Sequence, residues 1–402
     1  MKYVVILGDG MADYPQSCLK GKTPLEIAKK ENIDNLCKVS EIGLCKTVPD
    51  GMKPGSDVAN LSVLGYDVKR CYTGRSPLEA ASIGISLKDT DVTLRANLVT
   101  VSDEENYEDK TMIDYSAGEI STEEARELIN YLAERIDTDK VKLYAGISYR
   151  HCLVVDNGEI AGDFTPPHDI TGKKIKEYLP KSMVGLSRLE LMKKSFELLK
   201  DHPINIKRIN EGKNPANSLW FWGEGTKPSL DNYEEKFGVN GAMISAVDLL
   251  KGIGKLSGMK VIEVEGATGN YDTNFKGKAE ACLNALKEGA DYCYIHMEAP
   301  DECGHHGDAD KKIFSIEQID KEVVGYIKEE LDKLGEDYCM LIMPDHPTPL
   351  NTMTHAVDPV PYVLYRSYEV KEGAPSYTEE YAKASGIFVE SGEKLMEKFL
   401  NK

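Results

Sequence analysis

Short, mostly apolar runs recur along the chain with helical stretches between them: residues 3–7 (YVVIL), 260–264 (KVIEV), 292–297 (YCYIHM), 338–343 (YCMLIM) and 360–365 (VPYVLY). Strands buried on both faces have this composition, so the pattern predicts an α/β domain with a largely parallel sheet. Between about residues 87 and 225 the pattern changes. DVTLRANLVTV and KLYAGISYRHCLVV are longer and more alternating, as in strands with one wet face. A helix is expected over STEEARELINYLAERI, which opens with the capping pair Ser121 and Glu124 and places Ala125, Leu128, Ile129, Leu132 and Ile136 on one face. A second helix, SRLELMKKSFELLKDH, is followed by PINIKRI, expected as another strand. The middle third therefore reads as a smaller α/β domain (87–225) inserted into a core made of residues 1–86 and 226–402.

Composition narrows the possible functions. The 402 residues suffice for two domains, and 41% hydrophobic with 29% charged content describes an ordinary globular protein. Sixty-seven acids against 49 bases leave a formal charge of −18, which disfavours nucleic acid and anionic membranes as partners. A site for a small phosphorylated acid would have to be locally basic. Nine scattered cysteines without a C-x-x-C pair suit free thiols in a reducing compartment, and no apolar run reaches 18 residues, so a cytoplasmic location is expected. KGIGKLSG (251–258) follows an apparent helix, ISAVDLL, instead of a strand, and is expected to be a helix end with a loop. GKT (21–23) lacks the upstream glycine of a phosphate loop.

Three apolar runs end in acids or histidines: YVVILGD in Asp9, YCYIHMEAPDECGHH in Asp301, His305 and His306, and YCMLIMPDH in Asp345 and His346. Carboxyl ends of parallel strands line the crevice where ligands bind, so these segments can meet. MTHAVDPVP adds His355. Mixed carboxylate and imidazole groups suit Mn²⁺, Zn²⁺ or Mg²⁺. So many acids at one sheet edge call for cations to neutralise them. His296, inside a strand, is expected to be a satisfied core residue, and Cys303 and His306 loop neighbours. In VPDGMKPGSDVANLSVLGYD, Ser56 stands between Pro54-Gly55 and a helical run. It can serve as an N-cap, or present its hydroxyl at the positive end of a helix where a phosphate would bind. No serine–histidine–aspartate arrangement is evident, so two cations that activate the hydroxyl are the economical chemistry.

The ordered set GDGMAD, GKTPLEIA, PGSDVANLSVLGYD, YTGRSPLEA, SYRH, TPPHDITGK, NPANSLWFWGEG, GATGNYDTN, HMEAPDECGHHGD and DHPTP…THAVDPVP resembles the archaeal-type, cofactor-independent phosphoglycerate mutases of the alkaline phosphatase superfamily. The resemblance implies an alkaline-phosphatase-like core and two divalent ions, Mn²⁺ first among Mn²⁺, Mg²⁺, Zn²⁺ and Co²⁺, with no 2,3-bisphosphoglycerate. Asp301, His305 and His355 would hold one ion, and Asp9, Ser56, Asp345 and His346 the other. Ser56 would be the nucleophile that takes the phosphoryl group from the 3-hydroxyl of phosphoglycerate and returns it to the 2-hydroxyl. The insert would close over the site and bind substrate through Arg150, His151, His168 and Asp169, with Arg95 and Arg208 as helpers. Where the bacterial form has a lysine after a glutamate, this chain reads Glu265-Gly266, which turns attention to Lys276 and Lys278. Transfer to homoserine, or to water as in a phosphomonoester hydrolase, would need the same metal site.

Overall fold

The computed structural model describes residues 1–401 and contains two compact units: Met1–Tyr72 with the chain from Ser229 onward, and Thr73–Pro228. Among the described residues no helix is long and apolar enough to cross a membrane.

The larger unit is built on an eight-stranded sheet. Its strands run in the order Phe388–Val389, Glu41–Cys45, Val360–Arg366, Tyr338–Met343, Lys2–Gly8, Tyr292–Met297, Gly241–Ile244 and Lys260–Ile262. Five of the seven neighbouring pairs are parallel. Only Val360–Arg366 runs against both its neighbours. Every residue of Tyr292–Met297 and Tyr338–Met343 is buried, which is why these runs carry no polar alternation. Ile6, Cys293, Ile295, Met340 and Ile342 share one core with helix residues such as Leu283, Ile316 and Val323.

Register decides what this sheet can do. Lys2–Gly8 lies between Tyr292–Met297 and Tyr338–Met343, parallel to both, with Gly8 opposite Met297 and Leu7 opposite Met343. The three strands therefore end level with one another. The residues that follow them, Asp9, Glu298 to His305, and Asp345 with His346, emerge at one edge.

The smaller unit is a five-stranded antiparallel sheet around Val92–Val101, which pairs with Arg150–Val155, Ser218–Thr226 and Met112–Asp114. The helices Thr122–Ile136 and Met183–Leu199 supply Leu128, Leu132, Met192 and Leu199 to its core. The Ser121 side chain accepts the Glu124 amide, the capping contact expected from the sequence. The unit also takes in Ser76–Ser82, ahead of residue 87 where the hydrophobic pattern changes.

Several local expectations are corrected. PINIKRI is not a strand but the start of helix Pro203–Asn210: Pro203 is suited to a first helical turn, and the His202 ring accepts the Ile204 amide as a cap. Val92–Val101 has no wet face; all ten residues are buried, because partners cover it on both sides. KLYAGISYRHCLVV is a hairpin of two strands, Val141–Ile147 and Arg150–Val155, turned at Ser148, whose φ is +53°. KGIGKL continues the helix Asp248–Leu256 instead of ending it, and the preceding ISAV splits between the end of Gly241–Ile244 and a loop. Cys303 and His306 belong to a helix and its cap, Ala299–His305, not to a loop.

Candidate active site

Ser56 is the first residue of helix Ser56–Val63, with Gly55 at the capping position and no side-chain cap bond. Its hydroxyl is thus not used as an N-cap, the plainer of the two sequence readings. Oγ lies instead 3.3 Å from His346 Nε2. That nitrogen is 3.3 Å from Asp345 Oδ2 and 3.5 Å from Asp9 Oδ1, so the serine, the imidazole and two carboxylates from three segments converge. Asp9, Asp345 and His346 are fully buried.

A second group adjoins the first. Asp301 Oδ1 is 3.5 Å from His355 Nε2, Asp301 Oδ2 is 3.2 Å from His305 Nε2, and the two imidazole nitrogens are 2.9 Å apart. The His346 and His355 rings stand 4.1 Å apart between centroids, and the histidines bridge the two groups. Possible ligand atoms lie within 4.8 Å of one another in Asp9, Asp345 and His346, and again in Asp301, His346 and His355. His346 reaches both sets. His305 lies beside the second without belonging to that compact trio.

The outer partners orient these rings. The Thr348 hydroxyl donates to Asp301 Oδ1, which leaves its oxygen to accept from His346 Nδ1 at 3.2 Å and turns Nε2 toward the carboxylates. His305 Nδ1 is 3.0 Å from the Met353 carbonyl, so Nε2 faces Asp301. His296 is the satisfied core residue expected from its place in a strand: Nε2 is 2.8 Å from Asp9 Oδ2 and Nδ1 is 3.2 Å from Ser245 Oγ. Asp9, His296 and Glu298 form a further close trio on the far side of Asp9. Gly10 has φ +61°, and a Cβ there would stand 2.6 Å from Thr348 Oγ1 and 2.7 Å from the Asp301 backbone, so only glycine lets the Asp9 turn approach.

The electrostatics fit divalent cations. Among the described residues no lysine or arginine pairs with Asp9, Asp301 or Asp345, and buried Asp9 Oδ1 accepts no hydrogen bond. Burial, then Asp345, Asp301 and Glu298, hold the Asp9 carboxyl well above its usual range. The hydrogen bond with Asp301 lifts His305 to about 9. A cation at the same nitrogen would have to displace that proton. Hard oxygen donors mixed with imidazoles are a donor set for Mn²⁺, Mg²⁺ or Zn²⁺.

Sequence reasoning missed Asn60, Tyr294 and Thr348, which bind the ligand-bearing segments together. Asn60 lies one helical turn after Ser56 and Thr348 three residues after Asp345, spacings that local pattern alone does not distinguish from capping or core roles. Neither lysine considered as an extra cation reaches the cluster. Lys278 is buried with its Nζ on the His296 carbonyl at 3.1 Å and is lowered to about 8 by burial, and Lys276 lies 4.0 Å from Glu280.

The smaller unit has its own basic cluster. Arg75 and Arg95 both approach Glu79, at 2.9 and 2.8 Å, and the Arg95 guanidinium lies 4.1 Å over the Trp222 ring. The buried Arg95 Nε has no well-aligned hydrogen bond despite that proximity. His168 packs edge-on to Trp222 with centroids 5.2 Å apart, and Asp169 lies 3.7 Å from it. Arg150 is exposed beside Tyr149. Two residues expected to contact substrate are buried within the smaller unit. His151 is buried, accepts the Gly146 amide at Nδ1 and is pushed down to about 3 by burial. Arg208 is buried on Glu124 and the carbonyls of Asn214 and Ala117.

Comparison with known proteins agrees with this architecture. The family profile described as "2,3-bisphosphoglycerate-independent phosphoglycerate mutase" matches residues 37–205. A Geobacter sulfurreducens protein named "Probable 2,3-bisphosphoglycerate-independent phosphoglycerate mutase" is 50% identical over 404 residues, covering 100% of both chains. A Methanosarcina barkeri protein of the same name without the qualifier is 49% identical over 389 residues, covering 96% of each. A solved Pyrococcus horikoshii structure superposes with a TM-score of 0.82 at 29% identity, covering 100% of this chain and 97% of that one. The fold is also that of a cofactor-independent phosphoglycerate mutase from Thermoplasma acidophilum, with TM-score 0.65, 23% identity, and coverage of 100% and 99%. The class defined by this fold is thus a mixed α/β enzyme with a large, mostly parallel sheet. The chain belongs to the family of 2,3-bisphosphoglycerate-independent phosphoglycerate mutases, which are isomerases.

Proposed function

We propose that this protein interconverts 3-phosphoglycerate and 2-phosphoglycerate without 2,3-bisphosphoglycerate, passing the phosphoryl group through Ser56 at a site for two divalent cations, with Mn²⁺ as the first choice. The observation that carries the reading is the placement of the Ser56 hydroxyl. It stands at the start of a helix, free of capping duty, 3.3 Å from an imidazole that faces two buried carboxylates. Asp9, Ser56, Asp345 and His346 would hold one ion, and Asp301, His305 and His355 the other. When bound, such cations lower the pKa of the serine hydroxyl and neutralise charge on the phosphoryl oxygens.

Ser56 Oγ attacks phosphorus as the bond to glycerate O3 breaks, and O3 takes up a proton. The 2-hydroxyl of the turned glycerate then attacks the phosphoserine, loses its proton and restores the serine. The backbone N–H groups at the start of Ser56–Val63 favour an anion beside Oγ throughout. The smaller unit would bind the acid. Arg150 and Arg95 are the groups whose charge suits a carboxylate or phosphate; His168, held below its ordinary value by burial, would offer a hydrogen bond from a neutral ring, with Asp169 orienting it and buried His151 bracing the strand that carries Arg150. Nine free cysteines accord with a cytoplasmic setting.

The test is purified protein with Mn²⁺ and 3-phosphoglycerate, without bisphosphoglycerate, followed by phosphorus NMR. Growth of the 2-phosphoglycerate signal is expected. Inorganic phosphate as the main product would make the protein a hydrolase, and phosphohomoserine on adding homoserine with little 2-phosphoglycerate would make it a transferase.

A further inference from the structure

Asn60 is fully buried one helical turn after Ser56, and its side chain joins three segments. Nδ2 donates to the Ser56 carbonyl at 2.9 Å and to Asp345 Oδ2 at 2.8 Å. Oδ1 accepts the Tyr294 hydroxyl at 2.6 Å, and Tyr294 itself is fully buried in the Tyr292–Met297 strand. The amide can be oriented only one way, because a flip would aim its oxygen at two acceptors. Burial raises the Tyr294 phenol well above its ordinary value, so it stays protonated as the donor that fixes the amide.

Asp345 depends on this contact. Its Oδ1 accepts the backbone amides of His346 at 2.9 Å and Gly10 at 3.3 Å. Its Oδ2, the oxygen 3.3 Å from His346 Nε2, accepts from Asn60 at 2.8 Å. The same amide therefore holds the backbone of Ser56 and the Asp345 oxygen that faces the His346 nitrogen. We propose that Asn60 is a positioning residue that ties Ser56 to the Asp9, Asp345 and His346 group, so that the aim of the serine and cation binding at that group depend on one another. This rests on the two-cation, phosphoserine reading above.

Metal-free wild type, Asn60→Leu and Tyr294→Phe are titrated with Mn²⁺ by calorimetry, and kcat and KM for 3-phosphoglycerate are measured in parallel. In Asn60→Leu one of the two Mn²⁺ equivalents is expected to bind about 10–100-fold more weakly while the other is unchanged, because outer partners of ligands carry effects of that size. kcat falls and KM stays within about twofold. Tyr294→Phe moves the same equivalent and the same constant by less. A role confined to packing would lower the melting temperature without selecting one equivalent. Wild-type isotherms and kcat in both variants overturn the proposal while leaving the two-cation reading intact, and should Asn60→Leu fail to fold, Tyr294→Phe alone decides on the same criteria. Wild type that binds no Mn²⁺ overturns the two-cation reading and this inference with it.

Discussion

The two units gather charge in opposite ways. In the larger one, three carboxylates and three imidazoles are packed together beside the level ends of three parallel strands, and among the described residues no lysine or arginine pairs with these carboxylates. In the smaller one, Arg75 and Arg95 share a single carboxylate, Glu79, on an antiparallel sheet, with His168 and the exposed Arg150 in the same unit. Carboxylates predominate in the first arrangement, and in the second two guanidinium groups face Glu79. A buried cluster of carboxylates is costly unless cations neutralise it, which makes the larger unit's group a candidate metal site. The difference also sets tolerance: the buried carboxylates and imidazoles depend on one another, whereas exposed Arg150 acts more nearly alone.

The sharpest way to break the comparison is at the nucleophile. Ser56→Ala is expected to lower turnover roughly 10⁴-fold or more with the melting temperature little changed, since the hydroxyl forms no cap. A variant that retains mutase activity within tenfold would remove the covalent route, and mass spectrometry of quenched wild type should find phosphate on Ser56.

Next come the ligands. Asp345→Asn and His355→Ala should each cost at least about 100-fold in activity and weaken Mn²⁺ binding, and chelation should inactivate the wild type until Mn²⁺ returns. Cation binding should also weaken as pH falls, because protons compete for His305 and the carboxylates. Full activity after exhaustive dialysis against chelator, with metal absent by elemental analysis, would defeat the account of the larger unit.

Two arginines of the smaller unit sharpen the contrast within it. Arg208→Ala leaves Glu124 and two carbonyls without their donor, so a loss of about 3–5 kcal/mol in denaturant unfolding is expected, with KM unchanged in the folded fraction. Arg150→Ala should do the reverse, raising KM about tenfold, as loss of one charged hydrogen bond does, with stability intact. Exchange of those two outcomes would reverse the assignments.

The smallest effect expected concerns His151. Its folded pKa of about 3 lies below the unfolded 6.5, so between these values the unfolded chain binds a proton that the folded chain does not. Its contribution is fully present above about 6.5 and is lost as pH falls toward 3. In His151→Asn the slope of stability against pH over that window should shrink. An unchanged slope would mean that the ring is hydrated in solution.

Legibility followed the range of the interactions. Asp9, Asp301 and Asp345 stood out because apolar runs ended in acids, and strand alternation or its absence is a local property of the chain. PINIKRI was misread because its apolar spacing suits either element, and Pro203 with the His202 cap tipped it to helix. Arg208 and Arg150 look alike in sequence; burial on Glu124 makes one an internal tie and leaves the other at the surface. Asn60 looked like an ordinary helix residue because its partners, Asp345 and Tyr294, lie more than 230 positions away in the chain.

Fold class and family were legible from sequence alone. Hydrophobic periodicity specifies which segments become buried strands, and relatives 49–50% identical over 96–100% of the chain carry the family assignment. Tertiary structure alone decided which of these polar groups meet. Parallel pairing of Lys2–Gly8 with strands that begin only at Tyr292 and Tyr338 levels their ends within one residue and brings Asp9 and Asp345 to His346, while the helix opening at Ser56 sets its hydroxyl 3.3 Å from the same ring. Distances of that order arise from pairing between remote strands, which no local pattern of residues encodes.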